Sequence, residues 1–539
     1  MAFSWERAFF LYSTVNIFFI KIMATKEQQR ADLHKSIWQM ANSARWSVDG
    51  WDFKQYVLWM LFYRFISENL TIYINKNEPD SNFDYAKLTD EEAEFWRSET
   101  VKEKGFYILP SELFFNVLKN AKNDGNLNET VAKVFKNIES SAIWTESEAD
   151  IKWLFDDFNV NSNKLWNTVE QRNKKLSELM HSVANLPLWE YHDNSIDIFW
   201  DAYEYLMGMY ASNAWKSGWE YFTPQEVSEL LAEITTVWKT QVNKVYDPCC
   251  GSGSLLLKFA KVLWKENVHG WFFGQEINIT TFNLCRINMF LHDINYEKFD
   301  IAHGDTLTDP KHWDDEPFDA IVSNPPYSIN WEWDANPILI NDPRFSPAWV
   351  LAPKSKADLA FTLHMLRYLS TEWTAAIVEF PWVLYRGWAE GKIRKYLIDN
   401  NYVDAVIQLP ADLFFGTTIA TCILVLKKSK FNNKTLFIDA SNEFVRWSAK
   451  NKLGDENRKK ILEAFSKRED IEHFAKLVPN SEIADNDYNI AVSSYVEQKD
   501  DREIVDIIKL NKNIAEIVAR QNTLRTSIDQ IVAEIEETV

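Results

Sequence analysis

Glycine is scarce in this chain, 14 of 539 residues, where ordinary usage is about 7%. Tryptophan is in surplus at 24, so the residue that turns backbones is outnumbered by the bulkiest side chain. Cysteine is scarce as well. Cys249, Cys250, Cys285 and Cys422 have no metal-ligand spacing and the adjacent pair does not suit an ordinary disulfide, so a reducing cytoplasm is the expected compartment. Positive charge is short: 58 Lys and Arg against 78 Asp and Glu leave a net charge of −20. Such a chain repels phosphate backbones as a whole, and any affinity for nucleic acid must come from a partner or a local basic groove. A long apolar run is also missing. The stretch Ala8 to Ile22 is interrupted by Ser13, Thr14 and Asn16 and has no Ala-x-Ala cleavage site, which excludes a bilayer span and argues against a signal peptide. What remains is a chain with 46% hydrophobic residues and room for two or three domains.

The most informative stretch runs from Phe318 to Tyr327, where Ala320-Ile321-Val322 ends in Ser323-Asn324-Pro325-Pro326-Tyr327. The apolar run predicts a buried parallel strand, and two prolines cannot continue a ladder because neither has an N–H to donate. The chain therefore stops and turns at a strand's C-terminal end, the edge where open α/β sheets bind ligands. That turn carries an amide side chain, fixed carbonyls and an aromatic face. Asn324 Oδ1 and the Pro325 carbonyl suit one amino group on a planar substrate, and Tyr327 suits its ring. The plain alternative is a Pro-Pro turn that only ends a strand.

Upstream, Lys244-Val245-Tyr246, Asp247-Pro248-Cys249-Cys250-Gly251-Ser252-Gly253 and Ser254 to Ala260 predict strand, Gly-rich turn and helix. No Gly-Lys-Ser/Thr follows, which excludes a P-loop, and the missing third glycine disfavours a dinucleotide site. The next strand, Trp271 to Gln275, ends in Glu276, a carboxylate placed to accept both hydroxyls of a ribose. Asp305 follows a further strand and is available to an exocyclic amine. Successive strand ends thus carry Asp247 with Gly251, Ser252 and Gly253, then Glu276, then Asp305, then Asn324.

That order resembles the S-adenosylmethionine (SAM) dependent methyltransferases of exocyclic amino groups. Within them it resembles the N6-adenine DNA methyltransferase (modification) subunits of type I restriction-modification systems. The likeness runs from about Met23 and includes Asp49 to Phe53, Glu220-Tyr221-Phe222-Thr223-Pro224, Asp247 to Gly253, Asn324 to Tyr327 and Lys354 to Asp358. Cys249-Cys250 departs from the family's usual small residue before the second cysteine. The resemblance implies an α/β fold, a Rossmann-like mixed sheet, with a helical N-terminal domain and a C-terminal coiled-coil-like helix. It implies SAM as cofactor, with Tyr221, Phe222, Thr223 and Pro224 against its methionine end, and direct methyl transfer to a flipped adenine by Asn324, Pro325, Pro326 and Tyr327, with no metal. Duplex DNA, a specificity subunit and a restriction subunit are the implied partners, with two modification subunits per specificity subunit and no membrane. Two rivals remain: a protein-glutamine methyltransferase, whose chains are typically much shorter, and a non-catalytic subunit that has kept the fold.

Residues 1–22 are expected to be an upstream extension, with Met23 the start; 23–194 a helical domain; 195–475 the catalytic domain; and 476–539 a helical docking segment. Phe53, Val57, Leu58, Leu61, Phe62, Phe65 and Ile66 predict a core-facing helical stripe. A further helix is predicted from about Ser195 to Tyr210. Thr223, Pro224 and Glu226 predict a capping box opening the helix through Ile234. Later strands are predicted at Thr374 to Glu379, Val403 to Leu409, Ala420 to Leu426 and Thr435 to Ile438. Ile507, Leu510, Ile514, Ile517, Gln521, Leu524, Ile528, Ile531 and Ile535 form an a/d heptad strip that must bury itself on another helix.

The tryptophan surplus has its own reading. Trp215, Trp219, Trp373 and Trp388 stand where a chain should turn. At Trp219, Trp349, Trp382 and Trp388 the type I family typically has glycine, whereas Trp51 and Trp313 match the family's own tryptophans. The pattern fits a gene that decodes UGA as glycine, rendered here with UGA as tryptophan, and Trp219 is then expected to impair SAM binding beside the Tyr221 to Pro224 turn.

Overall fold

The computed structural model describes residues 31–40, 50–161, 168–186, 188, 202, 205–206, 223–263, 267–333, 336–414, 417–447, 450–498 and 507–536. Two compact units emerge, 1–496 and 497–539.

The larger unit opens with helices. Helix α1 (Gly50–Asn77) was expected to bury one stripe, yet every residue from Tyr56 to Phe65 is buried. Its apolar residues run almost without interruption, so the helix forms the centre of a lobe, with α2 (Leu127–Ser141) and α3 (Val169–Ala184) packed around it. Aromatic stacking fills the interior, as where Phe135 lies 4.3 Å from Phe155 at an interplanar angle of 10°.

The second half is a nine-stranded mixed sheet. Its strands are β1 (Val245–Asp247), β2 (Phe272–Glu276), β3 (Phe299–His303), β4 (Phe318–Ser323), β5 (Leu369–Glu379), β6 (Val403–Gln408), β7 (Cys422–Lys427), β8 (Lys434–Asp439) and, after a short hairpin of β9 (Val445–Trp447) and β10 (Lys450–Lys452), β11 (Ala475–Pro479). The spatial order is β11-β8-β6-β7-β5-β4-β1-β2-β3. From β1 the chain winds outward through β2 and β3, then returns to lay β4 on the other side of β1. Strand β1 is parallel to both, with Tyr246 opposite Phe273 of β2 and Ile321 of β4. This reversal is the switch point at which α/β sheets open a crevice beyond their carboxyl ends. Strand β5 pairs antiparallel with β7, which sets Cys422 opposite Glu379. The four later strands match their predicted positions to within a few residues, apart from the five-residue upstream extension of β5.

Strand β11 pairs antiparallel with β8 at the sheet edge, so the sheet crosses the 475/476 boundary expected from composition, and the compact unit continues to Val496. Ala475 and Val478 of this strand are buried, and Lys476 and Pro479 are exposed. Of the helix expected at 195–210, only Ala202, Tyr205 and Leu206 fall within the described residues, and all three are helical.

The helical lobe is joined to the sheet through α4 (Ile279–Leu291), whose face carries Arg286. Arg286 is wholly buried, and its Nη1 donates to the carbonyls of Ala149, Asp150 and Lys152 at 3.0–3.1 Å. Burial lowers its pKa to about 10, still far above neutrality, so the contact is charged. Asn283 Nδ2 adds a bond to the Trp153 carbonyl at 3.0 Å. Arg286→Met should lower stability by about 3 kcal/mol, because three carbonyls lose their charged donor at once. A denaturation midpoint indistinguishable from the parent's would show that the lobe is held without it.

Candidate functional site

Each predicted site residue within the described set lies at the carboxyl ends of β1 to β4 or in the turns directly beyond them, except Thr223 and Pro224, which approach from the opposite side. Tyr221 and Phe222 lie outside the described residues.

Asp247 ends β1 and is completely buried. Its Oδ1 accepts from the Cys249 N–H at 3.0 Å and from the Ser323 hydroxyl at 2.9 Å, while Oδ2 is buried without a partner. Burial pushes the carboxyl up to about 7. Ser323, which the sequence reading passed over, therefore ties the end of β4 to the end of β1. Nothing in its sequence context marks it beyond its place directly before Asn324.

The turn after β1 bends through Gly251 at φ +52° and Gly253 at φ +80°, a region that costs other residues strain. A Cβ on Gly253 would come within 2.7 Å of Cys285 Sγ, whereas one on Gly251 would enter open space. The Gly251 N–H donates to Glu276 Oε2 at 3.0 Å, and Glu276 Oε1 accepts from the Asn278 N–H at 2.8 Å. The Thr281 side chain and the Ile277 N–H interact with the same carboxylate. Burial raises its pKa as well. Ser252 is fixed through its carbonyl, which accepts from Asn288 Nδ2 at 2.6 Å. Beyond β3, Asp305 is half-buried, and its Oδ1 accepts from the Leu307 N–H at 2.9 Å.

Asn324 leaves β4 directly after Ser323. Its Nδ2 donates to Thr223 Oγ1 at 2.9 Å, and its Oδ1 accepts from the Tyr327 hydroxyl. The bond to Thr223 corrects the expected capping box: the helix Gln225–Thr235 is preceded by Pro224 with no side-chain cap, and the Thr223 hydroxyl faces Asn324. The amide thus lies with its nitrogen on Thr223 and its oxygen on Tyr327. The Tyr327 ring packs on Phe380 with centroids 4.2 Å apart and tilted by 54°.

Behind this turn lie two carboxyl groups that sequence reading gave no role. Asp358 Oδ1 accepts from the Ser328 N–H at 3.0 Å, and Glu379 Oε1 accepts from the Thr362 hydroxyl at 3.1 Å. The other oxygen of each is buried without a partner. Burial and, secondarily, Asp358 hold Glu379 well above the usual carboxylate range. Asp358 was visible only as the last residue of Lys354 to Asp358, and Glu379 only as a strand end.

Residues 194–504 match the N-6 DNA methylase family, and residues 33–183 match the HsdM N-terminal domain. The type I restriction enzyme MpnII methylase subunit of Mycoplasma pneumoniae is 48% identical over 95% of this chain and 97% of its own. The MjaVII methylase subunit of Methanocaldococcus jannaschii is 32% identical over 64% of this chain and 60% of its own. The crystal structure of a type I restriction-modification methyltransferase subunit from Streptococcus thermophilus superposes with a TM-score of 0.78 at 36% identity, covering 87% of this chain and 100% of that one. Among the described residues, no helix is long and apolar enough to cross a membrane. With two family models in tandem and a relative matched nearly end to end, the chain belongs to the N-6 DNA methylase family and, within it, to the methylase subunits of type I restriction enzymes.

Proposed function

We propose that this modification subunit methylates adenine N6 in duplex DNA with Asn324 and the Pro325 carbonyl as the acceptors that hold the target amine. The observation that carries this assignment is the place of Asn324 directly beyond β4 at the switch point, with its amide held between the Thr223 and Tyr327 hydroxyls. An aromatic amine is a weak nucleophile because its lone pair is delocalised into the ring. Two acceptors on its hydrogens favour a more tetrahedral nitrogen, and correct orientation supplies much of the remaining rate. The base must leave the duplex to reach them, at a cost of a few kcal/mol. Tyr327, paired with Phe380, offers the aromatic surface for the extruded ring, and its hydroxyl must release Asn324 Oδ1 as the amine arrives. Pro326 keeps the turn rigid between them.

The pocket fits SAM. Asp247 Oδ2 is an orphaned acceptor suited to an ammonium group, the Glu276 carboxylate at the end of β2 suits ribose hydroxyls, Asp305 suits the adenine amine, Ser252 and Gly253 continue the turn, and a Cβ on Gly251 would meet open space. Tyr221, Phe222, Thr223 and Pro224 are proposed to close the methionine end. Bound SAM supplies the electrophilic sulfonium methyl group.

Target recognition is assigned to a partner. The chain carries a net charge of −20, and the strip from Ile507 through Leu510, Ile514, Ile517, Leu524, Ile528, Ile531 to Ile535 lies on a 30-residue helix with each of these side chains 48–68% exposed. An exposed a/d strip of that length suits the helices of a DNA-specificity subunit, with two modification subunits per specificity subunit and a restriction subunit added in the cleaving complex.

Asn324→Ala should cut methyl transfer about 10³-fold while SAM affinity in calorimetry stays near the parent's. Thr223→Val should lower kcat and Thr223→Ser should restore it. Equal losses in both Thr223 variants would mean that the hydroxyl does not orient the amide.

Asp247 must lose its proton to receive a cation, so SAM affinity should fall as pH drops below about 7, by up to roughly tenfold per unit, and Asp247→Asn should flatten that profile. The same slope in the variant would locate the titration elsewhere.

Removing residues 500–539 should leave a folded, SAM-binding protein that no longer co-purifies with its specificity subunit. Retained co-purification would show that the strip is not the docking element.

A further inference from the structure

Fourteen non-glycine residues among those described have positive φ, and six of them are tryptophan: Trp144 at 66°, Trp153 at 61°, Trp238 at 62°, Trp333 at 46°, Trp349 at 56° and Trp388 at 60°. The other eight include Asp293, Asn401, Asp412, His473 and Asp487, residue types that visit this region readily. An indole-bearing residue there is strained, because its Cβ crowds the following carbonyl. Four of the six directly follow helical turns. Trp153 lies one residue past the cap of Glu148–Ile151, and Trp349 itself caps Ser346–Ala348. Trp144 and Trp238 each lie two residues past the cap of their helix. Glycine dominates such left-handed helix ends.

Five of the six indoles also bury little, and Trp333 is half-buried against the core. Trp144, Trp349 and Trp388 are 94–95% exposed, and Trp153 and Trp238 more than half. Other tryptophans use their side chains. Trp96 Nε1 donates to Glu78 at 2.7 Å. Trp331, two residues before Trp333, is buried on Phe345 and donates to the Pro353 carbonyl at 3.1 Å. Trp313 packs edge-on against Tyr368. Two populations therefore share one letter: one for which the indole matters, and one for which only the backbone does.

We infer that the protein in its native host carries glycine at positions 144, 153, 238, 333, 349 and 388, because its gene uses a genetic code in which UGA encodes glycine. The inference rests on backbone geometry and composition, independently of the catalytic assignment. It also explains the ratio of 24 Trp to 14 Gly. Of the positions singled out from sequence, Trp349 and Trp388 have the left-handed backbone, whereas Trp373, expected at a turn, lies within strand β5, and Trp215 lies outside the described residues. Trp219 lies outside the described residues. Trp382 has ordinary φ, but its indole N–H is buried without a partner. One consequence touches the surface near the substrate turn. Trp333, Trp349 and Trp388 line a cavity of about 1050 Å³ beside Lys354, Lys356 and Arg386, and with glycine at these three positions its walls open into a basic shelf.

The coding sequence is the direct test, together with peptide mass spectrometry of the protein from its native host. UGA is expected at all six positions and at 219 and 382, with UGG at Trp51, Trp96, Trp313 and Trp331 and glycine in the native peptides covering the six. UGG at the six, or tryptophan in those peptides, overturns the inference. A chain carrying all six Trp→Gly substitutions should melt higher than the chain as written, by on the order of 5 °C. A lower melting point would likewise count against it.

Discussion

One buried carboxyl holds the site together. Asp247 accepts from the Ser323 hydroxyl and the Cys249 N–H, and so joins the ends of β1 and β4 where the strand order reverses. Everything proposed for catalysis follows from that join. Asn324 comes directly after Ser323, so its backbone is placed by the same hydrogen bond, and the Gly251 to Gly253 turn starts from the same aspartate. The unpaired Oδ2 of Asp247 faces no protein donor, and an unpaired buried oxygen is costly unless a ligand completes it. Strand ends, substrate turn and cofactor pocket thus depend on a group whose pKa burial has moved into the physiological range.

The second constraint comes from the other side of the crevice. Thr223 lies 101 residues before Asn324 in sequence, yet its hydroxyl takes the amide nitrogen that would otherwise be free to rotate. An asparagine amide has a donor end and an acceptor end of nearly equal shape, and only its surroundings choose which one faces the substrate. Here the nitrogen lies on the Thr223 hydroxyl and the oxygen on the Tyr327 hydroxyl. Asp358 and Glu379 stiffen the opposite wall through Ser328 and Thr362.

Much of this was legible in the sequence, for physical reasons. The double proline marks the end of β4 because neither residue donates to a ladder, and the apolar run before it marks a strand buried on both faces. The order of Asp247, Glu276, Asp305 and Asn324 follows from the rule that such sheets bind at their carboxyl edges. Other features were hidden. Thr223-Pro224-x-Glu226 has the local pattern of a capping box, and local pattern does not reveal a partner far along the chain. Helix α1 read as amphipathic because periodicity was counted at chosen positions, while Trp59, Met60 and Tyr63 between them are buried as well. The sequence alone places 476–479 in the helical docking segment, because a five-residue edge strand carries too short a pattern to stand out. Ser323 and Glu379 carry no motif, and only the folded register brings them to the site.

The central claim is that this geometry delivers a methyl group to adenine N6 in DNA. It is tested most directly by incubating the modification and specificity subunits with isotopically labelled SAM and duplex DNA, then digesting the DNA to nucleosides for mass spectrometry. The account predicts labelled N6-methyl-2′-deoxyadenosine as the single modified nucleoside, formed only when the specificity subunit is present. Label in cytosine, or label in protein with none in DNA, would contradict it.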